Sequence, residues 1–403
     1  MAKRLRLGVI GVGVAAEQVL PNIDKIGDKV QLTAVADLRK EALEEMAKRY
    51  PGIQTFLTAE GLCKSDNVDV VWVSTPNEYH APHAVLAAEN GKHIICEKPM
   101  AVSLAECERI VQAARKHKVK YVQGHSKIYY EPARKTREII KSGVLGRVTQ
   151  VNTWNFNDWI VRPFTANEMR TDLGAGLVFR QGPHQVDLVR YFVGSRAVSV
   201  RGVGGRWEKA FPGTESDFSA LIVFEDNTPA TLVFNGQGYW DTAELTWGYS
   251  EGGARMLNAE SIYPHDRRTV SVTPEEKYEY QMKGDSMGRG PFNQDDKKAV
   301  RKHPFFGITV VSCERGVIRQ SPDGIYVYDK DGRREIPCRG GFLRGAAELL
   351  ELYDAIEENR EPFLDAAWGK GTLEICAAIV ESSKQKREIQ LEHQAATQTL
   401  PGW

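Results

Sequence analysis

The segment Gly8-Val9-Ile10-Gly11-Val12-Gly13-Val14-Ala15-Ala16 constrains the fold more than any other stretch of the chain. It is a G-x-G-x-x-A pattern that follows the apolar run Leu5 to Ile10 directly and opens a helix-like segment. Gly11 permits a tight turn, Gly13 lets the backbone approach a diphosphate, and Ala16 keeps the helix close to the sheet. Ala15 belongs to the same turn, and the uncapped N–H groups at the helix start favour an anion. A second strand is expected to end at Val35-Ala36-Asp37, about 20 residues beyond the pattern, where an acidic side chain accepts from ribose hydroxyls. These features predict a dinucleotide-binding unit. The charge of Asp37 repels a 2′-phosphate and favours NAD, while Arg39 and Lys40 beside it leave NADP open.

From Leu5 to about Gly124, short β-branched runs alternate with amphipathic segments, as in a parallel sheet flanked by helices. Strands are expected at 6–10, 31–36, 54–56, 68–74, 93–96 and 120–123, with helices over 41–50, 80–90 and 104–117. Beyond Ser126 the rhythm changes. A helix over 129–142 precedes strands at 148–154, 197–204, 218–224, 228–234, 307–313, 316–320 and 324–328, and helices return at 343–359 and 369–385. The polar stretch 273–303 has weak periodicity and reads as a surface insertion. The expected fold is α/β: residues 1–125 form a doubly wound parallel sheet, and residues 126–403 form an α+β domain on a large, mostly antiparallel, open sheet.

Lysine plus arginine and aspartate plus glutamate both total 53 in 403 residues. That balance argues against a nucleic-acid partner and against attraction to anionic membranes. No stretch reaches the ~18 apolar residues of a membrane span. The six cysteines are scattered, with no C-x-x-C pair, and read as reduced thiols of a cytoplasmic protein rather than a disulfide framework or a zinc site. His80-x-x-His83 has no acidic or cysteine partner nearby in sequence, so no metal is expected.

Two further segments fall at the C-terminal ends of expected strands, the edge where such sheets bind ligands. They are Ser74-Thr75-Pro76-Asn77, with His80, and Cys96-Glu97-Lys98-Pro99. Together with the glycine pattern they resemble the Gfo/Idh/MocA family, and Pro362, Asp365, Gly369 and Glu381-Ser382 are similar to that family's closing segment. The resemblance implies an N-terminal Rossmann domain, a C-terminal domain whose open sheet forms a homodimer or homotetramer face, and nicotinamide-dependent dehydrogenation. It places Ser74, Thr75, Pro76, Asn77, His80, Glu97 and Lys98 at the cofactor and gives Lys98 a proton-handling role. A lysine beside an oxidised nicotinamide ring has its neutral form favoured by the ring's charge.

The second domain supplies Asp172-Leu-Gly174-Ala-Gly176-Leu-Val-Phe-Arg180-Gln181-Gly-Pro-His184-Gln-Val-Asp187, similar to the family's glycine-rich segment. His184 matches the catalytic histidine, and Asp187 three residues on shares a helix face with it. The chain departs from many sugar-oxidising members at Arg180, where those carry an aspartate. An arginine fork suits a substrate carboxylate, which points to an anionic small molecule, with Arg162 and Arg170 adding positive charge.

The run 178–185 and Trp154-Asn155-Phe156 resemble, within the family, the dehydrogenases of cis-dihydrodiols of phthalate and related carboxylated rings. The expected function is therefore NAD-dependent oxidation of such a diol to the catechol. Lys98 and His184 would handle the proton, Arg180 and Gln181 would contact the substrate, and Trp154, Phe156, Trp159, Phe179 and His125 would be candidates around the ring. Alternatives are a sugar, inositol or aldose dehydrogenase of the same family and a non-catalytic NAD-binding sensor.

Overall fold

The computed structural model describes residues 4–124, 127–162, 164–205, 213–251, 253–256, 273, 276, 302–303, 306–338 and 345–396. The chain divides into two compact units, Met1–Ser126 with Leu343–Leu373, and Lys127–Phe342 with Glu374–Trp403. The sequence division at 125/126 lies one residue from the first boundary. It assigns 343–373 to the second domain, however, and these residues pack with the first.

In the first unit six strands run in the order β3-β2-β1-β4-β5-β6. They are β1 (Leu5–Ile10), β2 (Val30–Ala36), β3 (Gln54–Phe56), β4 (Val70–Val73), β5 (His93–Cys96) and β6 (Tyr121–Gln123). Every adjacent pair is parallel. β4, Val-Val-Trp-Val, is buried along its whole length because helices cover both faces, so it is apolar throughout rather than alternating. The helices are α1 (Val14–Ile23), α2 (Lys40–Arg49), α3 (Ala59–Cys63), α4 (His80–Glu89) and α5 (Leu104–His117). The strand order reverses between β1 and β4, which creates the crevice where this topology binds dinucleotides.

The returning segment brings a fully buried carboxylate, Glu351, gripped by Arg360 at 2.7 and 3.0 Å and by the Phe363 N–H at 2.7 Å. Gly369 approaches the end of β6 so closely that a Cβ there would lie 2.6 Å from Gln123 Oε1. The Gln123 N–H donates to the Leu364 carbonyl at 2.7 Å, Lys370 donates to Glu108 at 2.7 Å and Lys29 meets Asp354 at 3.2 Å, and these contacts tie the segment to the nucleotide unit.

The second unit is built on nine strands in the order β14-β13-β12-β11-β7-β10-β9-β8-β15. They are β7 (Val148–Phe156), β8 (Ala197–Gly205), β9 (Asp217–Phe224), β10 (Pro229–Asn235), β11 (Ile308–Cys313), β12 (Gly316–Ser321), β13 (Gly324–Asp329), β14 (Gly332–Pro337) and β15 (Ile389–Gln390). β7 and β10 pair in parallel, and all other neighbours are antiparallel.

Burial alternates along β9 and β10, so the sheet has one covered and one open face. On the covered face, Thr153, Leu232 and Ala220 stand opposite one another in register. After α6 (Glu131–Ser142), the helix α7 (Gly176–Val193) lies on this face, with Gln185 Nε2 donating to Thr153 Oγ1 and to the Val233 carbonyl. The open face carries the row Ile308, Trp154, Val233, Ser219 and Val203, of which Trp154 is 51% and Val203 56% exposed. Among the described residues no helix is long and apolar enough to cross a membrane.

Candidate active site

The nucleotide end is assembled by the turn after β1. Gly11 has φ +88°, and a Cβ there would meet the Ser74 carbonyl oxygen at 3.0 Å and Thr75 Cγ2 at 3.1 Å, so this position requires glycine twice over. Ser74 ties the two strand ends together: its N–H donates to the Ile10 carbonyl at 2.9 Å and its hydroxyl to the Gly11 carbonyl. Gly13 differs. Its φ is −88°, and nothing lies within 4 Å of the place its Cβ would take. It caps α1 with no side-chain hydrogen bond, Ala16 is packed against the sheet at 1% exposure, and Ala15 is half-buried. The Asn77 amide nitrogen is buried in the next loop with no hydrogen-bond partner. An open glycine face, an uncapped helix start and an orphaned donor all fit a dinucleotide whose diphosphate lies over Gly13.

Asp37 sits at the end of β2 with its carboxylate already engaged. It accepts from the Val12 N–H at 3.0 Å, from the Arg39 N–H at 3.0 Å, and from Arg39 Nε and Nη2 at 2.9 and 3.1 Å. Burial works to raise the carboxyl, but the Arg39 guanidinium and the two backbone donors outweigh it and hold Asp37 below the usual carboxylate range. Arg39, 38% exposed, thus clamps the Asp37 carboxylate, and a ribose bound there would share Asp37 with it.

Glu97, Lys98 and Pro99 follow β5. The Glu97 N–H donates to the Val73 carbonyl at 2.9 Å, and its side chain is 5% exposed and accepts from Trp72 Nε1. Lys98 is half-buried, and the Lys98–Pro99 peptide is cis.

His80 departs from the expectation of a cofactor contact. It is 1% exposed, with Nδ1 2.7 Å from the Pro99 carbonyl and Nε2 2.8 Å from the Thr75 carbonyl, so it lies beneath the loop. This use of both nitrogens also removes it from any metal pair with His83, whose Nδ1 faces the Thr75 hydroxyl at 3.2 Å. Elsewhere Glu131, His303 and Cys338 bring ligand atoms within 4.8 Å of one another. Burial first, and then the Glu131 carboxylate, push the Cys338 thiol up to about 12, which keeps it protonated at neutral pH.

In the second unit the glycine-rich segment becomes the entry to α7. Gly176 has φ +78°, and a Cβ there would fall 2.5 Å from Thr171 Oγ1 and 2.7 Å from Thr214 Oγ1. The Leu177 N–H is satisfied by Thr214 Oγ1 at 2.8 Å, and Thr171 donates to the buried Glu215 at 2.7 Å. Sequence reasoning missed Thr171, Thr214 and Glu215, because only the fold brings them under the glycine.

Along α7, Gln181 is 8% and His184 and Asp187 are 4% exposed. The His184 ring packs 4.6 Å from the Phe306 ring, and the Lys127 ammonium lies 5.6 Å from the Phe306 ring. Leu188, one turn beyond His184, lines with Phe306, Lys127 and Tyr130 a cavity of about 70 Å³. Phe306 and Lys127 were not singled out in the sequence, because neither lies in a motif.

The three arginines are each met by a carboxylate. Arg180 Nη1 lies 2.9 Å from Glu168 Oε1, and its guanidinium is 5.7 Å from the Phe164 ring. Arg162 bonds Asp158 at 2.8 and 3.0 Å, and Arg170 pairs with Asp172 at the surface. The expected positive cluster is therefore a set of ion pairs. Arg180 stands one helical turn from His184, whereas Arg170 is exposed and Arg162 is 9% exposed and held by its own partner.

Trp154 is corrected as a substrate wall. It alternates with Thr153, whose side chain meets α7, so the indole points to the opposite face of the sheet. Phe156 stacks edge-on with Trp240 at 5.0 Å, Trp159 packs on Phe164 at 4.5 Å, and Phe179 is 7% exposed, so these rings form core or surface packing. His125 lies outside the described residues.

Residues 5–125 match the profile described as "Oxidoreductase family, NAD-binding Rossmann fold", and residues 133–249 match "GFO/IDH/MocA C-terminal domain". The chain belongs to the Gfo/Idh/MocA family. It is an NAD-binding oxidoreductase. The chain is 33% identical to 1-carboxy-3-chloro-3,4-dihydroxycyclo hexa-1,5-diene dehydrogenase of Comamonas testosteroni, over 94% of this chain and 95% of that one. A solved structure from Bordetella bronchiseptica RB50, assigned to the dehydrogenases, superposes with TM-score 0.86 at 31% identity, covering 96% and 100% of the two chains. The WlbA dehydrogenase from Bordetella pertussis, solved with NADH and UDP-GlcNAcA, shares the fold at TM-score 0.67 and 16% identity, covering 97% and 99%.

Proposed function

We propose that this family member oxidises a cis-dihydrodiol of a carboxylated ring to the corresponding catechol, with NAD as acceptor. The observation that carries the reading is the full-length similarity to a dehydrogenase of a carboxylated dihydroxycyclohexadiene. Arg180, one turn before His184 on α7, supports it.

Bound NAD supplies the hydride acceptor at its nicotinamide ring. Asp37 would hold the ribose, and Gly11 and Gly13 would let the backbone approach the diphosphate. Ala15 and Ala16 keep the helix start close, and Ser74, Thr75, Pro76 and Asn77 would line the crevice beside β4. The carbinol carbon gives up its hydride while its hydroxyl proton passes to Lys98 or His184. The resulting ketone enolises, and the ring becomes aromatic. Asp187, one turn from His184, would support the histidine's charge. Arg180 would take the ring carboxylate in two-point fashion, with Gln181 beside it.

Arg180→Ala is expected to raise KM for a carboxylated diol on the order of 10- to 100-fold, the equivalent of a charge-assisted hydrogen bond worth about 1.5–3 kcal/mol. Steady-state kinetics with carboxylated and uncarboxylated diols check this. An equal rise for both substrates would show that the arginine matters only through Glu168.

We also propose a homodimer or homotetramer formed through the open sheet face, supported by the exposed row containing Trp154 and Val203. Trp154→Glu should then shift light scattering to the monomer mass, and a wild-type monomer would remove the proposal. The six free, buried thiols support a cytoplasmic site for the protein.

A further inference from the structure

His80 presents a problem of proton count. Its ring is 1% exposed, and both nitrogens point at carbonyl oxygens, Pro99 at 2.7 Å from Nδ1 and Thr75 at 2.8 Å from Nε2. A carbonyl only accepts. A neutral imidazole has one N–H, so in either tautomer one bare lone pair would face a carbonyl at hydrogen-bonding distance. A charged imidazolium has two N–H groups and satisfies both. Distances of 2.7 and 2.8 Å lie at the short end of N–H···O hydrogen bonds.

We propose that His80 is held as a buried imidazolium and acts as a positioning residue, donating to the Thr75 and Pro99 carbonyls and so fixing the loops that follow β4 and β5. The first loop carries Thr75, Pro76 and Asn77, and the second carries Lys98. One buried side chain thus sets the position of both cofactor-edge segments of the first unit, and the inference holds whichever alcohol the enzyme oxidises.

Burial, the largest influence, draws the His80 pKa below its ordinary value against the Pro99 carbonyl, the Thr75 carbonyl and the Glu97 carboxylate, which raise it, so the second proton rests on the two carbonyl contacts. Glu97 is itself 5% exposed, so an imidazolium nearby would offset the cost of burying its charge. His83 is the other titratable group that acts on the ring and opposes its charge. Burial lowers His83 as well, and Glu97 is the acidic neighbour that favours the charged His80 ring. Lys98, between Glu97 and Pro99, is the group whose placement depends on the bridge.

The test is side-chain nitrogen NMR of histidine-labelled full-length protein, with and without NAD, the His80 signals being assigned by their loss in His80→Gln. Two protonated ring nitrogens at neutral pH are expected. One protonated and one bare nitrogen would overturn the proposal. In Glu97→Gln the ring is expected to lose its second proton at neutral pH, and a ring that stays doubly protonated there would overturn the role given to the carboxylate. In the wild type, kcat should fall with rising pH along the same limb as the ring titrates. A kcat that stays level while the ring loses its proton would overturn the positioning role.

Discussion

His184→Asn lowers kcat for the diol by about 10²–10⁴-fold, the usual contribution of a positioned acid or base, while NAD affinity stays within about threefold if His184 serves the proton alone. The basis is placement. The ring is 4% exposed, lies on α7 and is fixed against Phe306 at 4.6 Å, so it cannot turn away to solvent. Asparagine fills much of the same volume without an ionisable nitrogen. Pre-steady-state NADH formation separates loss of chemistry from loss of binding. A kcat near that of the wild type would make Lys98 the sole proton acceptor and leave His184 as a packing residue.

The second large effect distinguishes two glycines of one motif. Gly11→Ala places a Cβ 3.0 Å from the Ser74 carbonyl at a φ of +88°, so the unit should lose about 1–3 kcal/mol of stability together with NAD affinity. Gly13→Ala places its methyl group where nothing lies within 4 Å, at a φ of −88° that alanine accepts. It should leave Tm unchanged and weaken NAD binding by roughly tenfold or more, since the methyl group would stand where the diphosphate approaches. Thermal unfolding and NAD titration of both variants check the contrast. A drop in Tm for Gly13→Ala with unchanged NAD affinity would move the cofactor away from this turn.

Much of the first unit was legible because its signals are local. β3 (Gln54–Phe56), β5 (His93–Cys96) and α5 (Leu104–His117) agree with the sequence to the residue, since apolar runs of strand length and a three-to-four spacing record burial directly. β14 (Gly332–Pro337) was not legible. Gly-Arg-Arg-Glu-Ile-Pro is an exposed edge strand held by pairing with β13, so it has no buried face to leave a pattern. α3 (Ala59–Cys63) is a single short turn with too few positions to show a period.

The same distinction applies to the site. Gly11 lies in a tight turn, Ser74 joins the ends of β1 and β4, and Asp37 stands at the end of β2, places set by signals close in sequence or at a strand edge. Trp154 failed because an aromatic beside a motif does not tell which face of a sheet it occupies. The arginines failed as a free cluster because each has its own carboxylate: Asp158 four residues before Arg162, Asp172 two after Arg170, and Glu168, which the fold brings to Arg180. His80 belongs to a motif that resembles a cofactor loop, yet its two carbonyl partners, five and nineteen residues away, give it a different place.

The reaction proposed for this protein is oxidation of a carboxylated cis-dihydrodiol with NAD. The most direct test is the initial rate of NADH formation by the purified protein with phthalate cis-4,5-dihydrodiol or a monocarboxylated analogue, set beside myo-inositol and glucose. Rapid NAD reduction with the carboxylated diol and none with the polyols is the predicted result. Turnover of the polyols alone would contradict the account and leave the Arg180–Glu168 pair as a structural feature of α7.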